Sequence, residues 1–144
     1  MDIQIHLRDG TRVDAEVDGY TVVTDQPSAD GGEGMAPDPF TLFLASIGTC
    51  AGFYVGAYCR ARGIPTDGID IHQHVEKDAG GKLTHIDIRI TLPADFPAEQ
   101  SEGVLRAAGS CKVKKTLAAP PPIEITWVSA DVVQDHQLRI APRL

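Results

Sequence analysis

Between Asp38 and Arg62 the chain reads DPFTLFLASIGTCAGFYVGAYCRAR, and this segment is apolar nearly all round. Asp38 is a suitable N-cap, and Pro39 follows it at the first helical position, where a missing N–H is tolerated. Gly63 and Pro65 come directly after the last apolar turn and end the pattern. The segment therefore predicts one long, buried central helix.

Before this segment, residues 3–17 alternate between apolar and polar side chains around Asp9-Gly10, as expected for a β-hairpin. A two-residue loop would place apolar residues opposite charged ones, so the alternation favours the three-residue loop Asp9-Gly10-Thr11. This register pairs Leu7 with Val13, Ile5 with Ala15 and Ile3 with Val17. It gathers four polar residues on the other face, namely His6, Arg8, Arg12 and Asp14. A third strand is expected at Tyr20–Thr24.

The rest of the chain predicts further elements of both kinds. Residues 26–39 hold three Pro and three Gly and predict an irregular loop. A second hairpin is expected at 68–77 and 82–92, with Ile71 opposite Ile88, Gln73 opposite Ile86 and Val75 opposite Thr84. We expect a helix at 97–109, a short basic helical turn at 112–117, a last core strand at 123–128 and a weak strand around Val132-Val133. This order predicts a single α+β domain over residues 1–144, with helices against an antiparallel sheet.

The net charge and the N-terminal sequence limit the binding partners and the cellular location that we expect. A net charge of −7 over 144 residues disfavours nucleic acid and anionic membrane surfaces, because the summed field repels phosphate. The N-terminus, Met1-Asp2-Ile3-Gln4, lacks the basic start of a signal peptide, and the apolar stretch at 40–59 is interrupted by Gly, Ser and Thr. We therefore expect a cytoplasmic protein without a membrane span.

Cys50 lies in the middle of the predicted helix. Its neighbours at helical spacing form an apolar sleeve with one hydroxyl, from Ser46, and comprise Phe43, Ile47, Phe53 and Tyr54. The sleeve suits an apolar substrate, but apolar surroundings alone raise the pKa of a thiol, so a reactive Cys50 needs a cation beside it. Composition alone favours the alternative, an inert buried cysteine.

The other two cysteines differ in their surroundings. Cys111 follows Gly109-Ser110 near a helix start, and Lys112, Lys114 and Lys115 come after it. Exposed N–H groups and positive charge favour a thiolate there, although a half-buried cysteine beside solvated lysines would have the same sequence. Cys59 lies about half a turn around the helix from Cys50 and is interpreted as structural.

Histidines are concentrated on one face of the second hairpin, where the predicted register makes His74 and His85 cross-strand partners and places His72 and Asp87 next to them. Imidazoles and a carboxylate on one face of a sheet can bind zinc or copper. Asp70, Glu76 and Arg89 share this face, which is more typical of an ordinary solvent-exposed surface. For that reason we expect no metal there. No Walker loop, Gly-x-Gly-x-x-Gly or Gly-x-Ser-x-Gly motif is present, which disfavours a nucleotide-binding protein and a serine hydrolase.

Two cysteine motifs carry a family resemblance. The first is Asp38-Pro39-x-x-Leu42-Phe43-Leu44-Ala45-x-x-Gly48-x-Cys50, preceded by a glycine-rich loop, and the second is Cys111-x-Val113-x-Lys115-x-Leu117. With a long hairpin between them, the chain resembles the OsmC/Ohr family, the osmotically inducible and organic hydroperoxide resistance proteins. The resemblance implies an antiparallel sheet wrapped around a long central helix and a second helix, in an intertwined homodimer with active sites completed across the interface.

The resemblance also implies a thiol-dependent peroxidase that reduces organic hydroperoxides. Cys50 would be the peroxidatic thiolate and Cys111 the resolving thiol, with a dithiol reductant and without a metal or an organic cofactor. Arg8, in Arg8-Asp9-Gly10, matches the arginine of the family's early hairpin, and Arg12 is the fallback. Phe43, Ile47, Phe53 and Tyr54 would bind the substrate.

Two departures from the family pattern are visible. The hydroperoxide-resistance branch has a Glu after Asn-Pro to pair with the arginine, whereas Phe40 follows Asp38-Pro39 here, so Asp38 or Glu33 would have to substitute. The second motif usually has Pro after Cys, whereas Lys112 stands there. These departures place the chain in a divergent branch. The alternative function is a non-enzymatic module that binds an apolar or acyl ligand in the cleft at the dimer interface.

Overall fold

The computed structural model describes residues 1–129, and their elements confirm the α+β expectation. The described part of the chain contains two antiparallel sheets, one of three strands and one of two. The strands are β1 (Gln4–Leu7), β2 (Val13–Val17), β3 (Tyr20–Thr24), β4 (Asp70–Lys77) and β5 (Leu83–Thr91), and the helices are α1 (Pro39–Arg60), α2 (Ser101–Gly109) and α3 (Lys112–Ala118).

The first hairpin has the predicted register. Ile5 pairs with Ala15 and Leu7 with Val13, around the three-residue loop. The N–H of Arg8 donates to the carbonyl of Arg12 at 3.0 Å, which closes this loop. Strand β3 extends the sheet through a tight turn at Asp18-Gly19, where both residues have positive φ, as two-residue hairpin turns require.

Helix α1 begins where the sequence predicts. The Asp38 carboxylate accepts the N–H groups of Phe40 and Thr41 at 2.9 and 3.0 Å, which satisfies two of the donors that a helix start leaves unpaired. Only one stripe of the helix is buried, and it consists of Ile47, Ala51, Val55 and Cys59. The expectation of a helix buried all round is therefore wrong within a single chain.

The core lies between α1 and α2. Val104 and Ala108 on α2 pack against the lower part of the buried α1 stripe, and the apolar face of the β4–β5 hairpin covers the edge of this cluster. Tyr58 contributes as well, because its hydroxyl donates to Gln100 at 2.6 Å, just before α2. Helix α2 is thereby fixed along α1, and the turn that follows it is held against the same helix.

The register of the β4–β5 hairpin differs from the prediction by two residues. Ile71 pairs with Ile90, Gln73 with Ile88 and Val75 with Ile86. The shift has two sources. The bulge between Glu76 and Lys77 accounts for one residue, and the turn is one residue longer than predicted, because Lys77 pairs with Leu83 and not with Lys82. Because the side-chain period of a strand is two, the same residues still face the core.

The predicted last core strand at 123–128 is not a strand in this structure. The segment follows three consecutive prolines, has no ladder partner among residues 1–129, and leaves Ile125 93% and Trp127 88% exposed. A strand needs an edge to pair with, and its alternating pattern alone cannot supply one. The weak strand predicted at Val132-Val133 lies outside the described residues.

Large apolar surfaces remain uncovered in the single chain. The first sheet exposes Ile5, Leu7 and Tyr20 on one face, and it packs on α1 far less than α2 does. Among residues 1–129, α1 is the one helix long and apolar enough to cross a membrane by length and composition, and 17% of its most apolar window is buried. A helix at the centre of a protein assembly is also long and apolar and is covered only by its partners. Large exposed apolar surfaces of this kind usually mark protein contact sites.

Candidate active site

Cys50 lies on α1, beside the start of α3. It is the only one of the three cysteines with exposed surface, because Cys59 and Cys111 are completely buried. The N–H groups of Lys112 and Val113, which open α3, lie close to the Cys50 sulfur and help to lower the pKa of Cys50. A partly exposed thiol that faces the N-terminus of another helix has the surroundings of a reactive cysteine and not of an inert one.

Cys111 is the N-cap of α3 and lies next to Cys50. The chain reaches this position through a tight turn, in which the N–H of Ser110 donates to the carbonyl of Arg106 at 3.0 Å as α2 ends. Because α2 packs along α1 through Val104 and Ala108, the turn is held against the Cys50 side of α1. The structure thus brings the two predicted thiols together.

The contacts around Cys50 stabilise its thiolate. The hydrogen bond from the Cys111 thiol lowers the pKa of Cys50 most, followed by the N–H of Val113. Burial raises this pKa, and the N–H of Lys112 and the charge of Lys114 lower it further, so the net direction is downward. All of these groups belong to the same chain.

Arg8 does not reach Cys50 within one chain. Its Nε donates to Oδ2 of Asp14 at 2.7 Å, and Asp14 is only 6% exposed. Four residues of this face, including Arg8 and Asp14, form a polar cluster, since His6 lies opposite Asp14 and its Nε2 is 3.6 Å from Oε2 of Glu16. The sequence analysis placed Arg8 and Asp14 on one face of the hairpin, but it did not predict that the two side chains would form an ion pair.

The two carboxylates proposed as partners of the arginine have other roles. The Asp38 carboxylate caps α1. Glu33 is exposed, and its N–H donates to Asp25. The expectation that Asp38 or Glu33 pairs with Arg8 is therefore wrong, because Asp14 takes that place.

The residues of the predicted substrate sleeve have different environments. Ile47 is buried and belongs to the core side of α1. Phe43 and Phe53 are exposed, and Tyr54 is half-buried. Phe43 stacks on Phe40 at 5.7 Å, and Phe53 meets Tyr54 edge to face at 5.5 Å between ring centroids. The exposed rings offer apolar surface on both sides of Cys50 along the helix.

Asp25, which the sequence analysis did not single out, fixes the loop before α1. Its carboxylate is 1% exposed and accepts the Thr11 hydroxyl at 2.6 Å and the N–H groups of Gln26, Glu33 and Met35. The Thr11 hydrogen bond is the largest of the effects that lower its pKa to about 2. A possible signal was its position, at the end of a strand and before a loop rich in Pro and Gly.

The histidine face shows no arrangement for a metal. No cluster of three or more His, Cys, Asp or Glu side chains suited to a metal ion occurs within residues 1–129. Because of the register shift, His74 pairs with Asp87 and His85 with Glu76, so the predicted His74–His85 pairing is wrong. His74 lies 3.9 Å from Glu76, and Arg89 lies 3.6 Å from Asp87, as on an ordinary polar surface.

Comparison with known families identifies the chain at the level of a family. The model of the OsmC-like proteins matches residues 31–126, which is more than half of the chain and includes both cysteines of the site. This chain belongs to the OsmC-like protein family. No protein in a search of curated sequences matches it.

Solved structures show the same fold for this OsmC-like chain. A Psychrobacter arcticus protein with an inferred role in osmotic stress and detoxification has a TM-score of 0.68 at 20% identity, over 79% of this chain and 85% of its own. An OsmC-like protein from Mycoplasma pneumoniae has a TM-score of 0.65 at 15% identity, over 83% and 87%. The organic hydroperoxide resistance protein OsmC of Legionella pneumophila has a TM-score of 0.53 at 18% identity, over 82% and 88%. The predicted OsmC/Ohr-like fold is confirmed.

Proposed function

We propose that this OsmC-like protein is a thiol-dependent peroxidase that reduces organic hydroperoxides. One observation carries the proposal: the start of α3 sets the buried Cys111 thiol beside the partly exposed Cys50, and these neighbours lower the pKa of Cys50. An accessible thiolate with a second thiol beside it is the arrangement that two-cysteine peroxide reduction requires.

In the proposed reaction the Cys50 thiolate attacks the outer oxygen of the hydroperoxide. The O–O bond breaks, Cys50 becomes a sulfenic acid, and the alkoxide leaves and takes a proton to become the alcohol. The Cys111 thiol then attacks the Cys50 sulfur, so that a disulfide forms and water leaves. A dithiol reductant returns both cysteines to thiols by disulfide exchange and is itself oxidised to a disulfide.

The substrate class follows from the surface around the thiol. Phe43 and Phe53 are exposed next to Cys50 on α1 and would contact an alkyl or aryl group rather than hydrogen peroxide alone. The Legionella pneumophila relative is named as an organic hydroperoxide resistance protein, which supports the same class of substrate. We propose that this chemistry takes place in the cytoplasm, with no cofactor.

The proposal includes a homodimer. A second copy would cover the exposed face of the first sheet and the uncovered sides of α1. Arg8 would then reach Cys50 only from the other copy, because within one chain its sheet lies away from α1. Its buried partner Asp14 would orient the guanidinium, in place of the glutamate that this chain lacks.

The test is the fate of each thiol under one equivalent of cumene hydroperoxide, followed by mass spectrometry after alkylation. The expected product is a Cys50–Cys111 disulfide within one chain, and Cys59→Ala should behave as the parent does. Cys50→Ser should abolish peroxide consumption, and Cys111→Ser should stop at the sulfenic acid. Arg8→Gln should slow the reaction about tenfold or more, as expected from loss of a charge beside a thiolate, whereas Arg12→Gln should not. Three free thiols after peroxide treatment would rule out the proposal.

A second candidate is a binding module for an apolar or acyl ligand. An open groove of about 390 Å³ runs between α1 and β4 and is mostly apolar, with Ala45, Gly48, Gly52 and Ile71 in its lining. Native mass spectrometry of the freshly purified protein distinguishes the two functions. A co-purified apolar molecule together with an unreactive Cys50 would favour binding, and an empty protein with a peroxide-reactive Cys50 would exclude it.

A further inference from the structure

The charge of helix α3 differs from that of the rest of the chain. Three of the five lysines, namely Lys112, Lys114 and Lys115, lie within this helix of 7 residues. No acidic residue occurs at positions 103–123, whereas the whole chain has a net charge of −7. The helix therefore forms a basic region on an acidic protein.

The lysines of α3 have no acidic partners among the described residues. Lys112 and Lys115 are exposed, and Lys114 is half-buried. None of the three takes part in the ion pairs within residues 1–129, whereas Arg106 on α2 pairs with Glu102. Together, Lys112 and Lys115 form an exposed basic surface, the α3 lysine surface, whose charge is available to a binding partner.

The α3 lysine surface lies next to the thiol pair. Cys111 is the N-cap of α3 and directly precedes Lys112, and its carbonyl accepts the N–H of Lys115 at 3.1 Å, one turn later. Cys111 is completely buried, whereas Cys50 keeps some exposed surface. In the disulfide of the proposed reaction, Cys50 is therefore the sulfur that a reductant can reach.

We propose that the α3 lysine surface is the docking site of a protein that reduces the Cys50–Cys111 disulfide, and that this partner carries its dithiol within an acidic surface. The inference rests on the proposed function, which supplies the disulfide. The partner's thiolate attacks Cys50, the Cys50–Cys111 bond breaks, and Cys111 leaves as a thiolate that takes up a proton. The partner's second thiol then attacks the mixed disulfide, which releases Cys50 and leaves the partner as a disulfide.

The charge distribution favours one orientation of such a partner. An acidic surface is repelled by the summed field of a chain with net charge −7, and it is attracted where basic side chains are concentrated. Docking at the α3 lysine surface therefore brings the partner's dithiol towards Cys50 and disfavours contacts elsewhere. A neutral small dithiol gains no such orientation, and an extended anionic membrane would also meet the acidic parts of the chain.

The experiment compares reductants that differ only in charge. The full-length protein is oxidised with diamide and then reduced by Cys-x-x-Cys peptides flanked by glutamates, glutamines or lysines. Each rate is divided by the rate of the same peptide with the neutral bis(2-hydroxyethyl) disulfide, which corrects for the intrinsic reactivity of its thiols. At low salt the glutamate peptide should react about tenfold faster than the glutamine peptide, and the lysine peptide should be slowest. The difference should vanish at 1 M salt, where the Debye length is about 3 Å.

A charge reversal in the α3 lysine surface tests its location. Lys115→Glu should slow the glutamate peptide about five- to tenfold and leave the rate with dithiothreitol unchanged. Lys115→Arg keeps the charge and should behave as the parent does. Lys82→Glu is the matched control, because Lys82 is also exposed and lies between the two strands of the second hairpin.

Equal normalised rates for the glutamate and glutamine peptides would overturn the proposal, as would equal effects of Lys115→Glu and Lys82→Glu. Binding to vesicles of phosphatidylglycerol and phosphatidylcholine that Lys115→Glu abolishes would assign the surface to a membrane and overturn it as well. Failure of the proposed function has a different signature. A disulfide that forms with diamide and shows the charge preference, but does not form with cumene hydroperoxide, would reject the peroxidase and leave the docking site intact. A protein in which neither oxidant links Cys50 to Cys111 would overturn both.

Discussion

At the scale of single residues, the site depends on polar groups whose partners lie far away in the sequence. Cys50 receives its hydrogen bonds from Cys111 and from the first residues of α3. Arg8 pairs with the carboxylate of Asp14, which lies on the neighbouring strand. Asp25 ties the loop before α1 to Thr11 in the first hairpin. Each is a buried or half-buried polar contact, for which loss of one partner leaves the other unsatisfied.

Asp25 should make the stability of the protein sensitive to acid. Its pKa in the folded state is about 2, below the ordinary value of 3.8. A carboxylate with a lowered folded pKa stabilises the fold above the unfolded pKa, and this contribution is lost as the pH falls from about 3.8 to about 2. We expect Asp25→Asn to lower the midpoint of thermal unfolding at pH 7. The variant should also lack the part of the stability that the parent loses between about pH 3.8 and about pH 2.

Thermal unfolding followed by circular dichroism at pH 7, 4 and 2.5 measures the effect. Asp30→Asn is the matched control, because Asp30 lies exposed in the same loop. The difference between the parent and Asp25→Asn should shrink across this range. A constant difference would show that the Asp25 carboxylate contributes through its shape and not through its charge.

At the scale of elements, the packing of α2 on α1 places Cys111 against Cys50. Gly103 permits the close approach, because a Cβ at this position would collide with the ring and hydroxyl of Tyr58. Tyr58 cannot simply move away, since it is bonded to Gln100 and its ring lies 3.7 Å under the Arg62 guanidinium. The thiol pair is therefore supported by contacts about two helical turns away from it.

Gly103→Ala should disturb this support. Overpacking of a close contact typically costs about 1–3 kcal/mol in the free energy of unfolding. We expect a loss in this range in urea denaturation, together with slower alkylation of Cys50 at pH 7 as Cys111 moves away. Gly109→Ala is the control, because nothing lies within 4 Å of a Cβ there. Equal stabilities for the two variants would contradict the role assigned to the α1–α2 contact.

At the scale of the whole molecule, the single chain is incomplete as a hydrophobic structure. Leu7 is 85% exposed on the first sheet, and Ile123, Ile125 and Trp127 project from a segment without a ladder partner among the described residues. Monomeric proteins rarely leave so much apolar surface in water. In the proposed dimer, a second copy of the chain would cover both regions and bring Arg8 to Cys50.

The dimer should depend on the exposed face of the first sheet. We expect a dimer by light scattering, and Leu7→Glu should raise its dissociation constant about a hundredfold, which corresponds to about 2.7 kcal/mol. Gln4→Glu adds the same charge to the other face of β1 and should leave the dimer intact. A parent protein that is monomeric at micromolar concentration would reject this assembly and the role of Arg8 in it.

The amino-acid sequence by itself determined the elements that rest on local contacts. Asp38 and Pro39 specify the start of α1 through the backbone donors that they satisfy or omit. The apolar alternation of the first hairpin selects its register, because a slip by one residue would turn its apolar face outward. The family resemblance in turn predicted Cys50 and Cys111 as the thiols of the site, since their motifs are local as well.

The tertiary structure decided what depends on long-range packing. The bulge at Glu76 and Lys77, together with a turn one residue longer than predicted, moved the register of the second hairpin by two residues. A shift of two leaves the same side chains facing the core, so the apolar pattern does not reveal it. Residues 123–128 have the pattern of a strand but no edge to pair with in one chain. The pairing of Arg8 with Asp14 required the fold, because electrostatic contacts depend on distance in space.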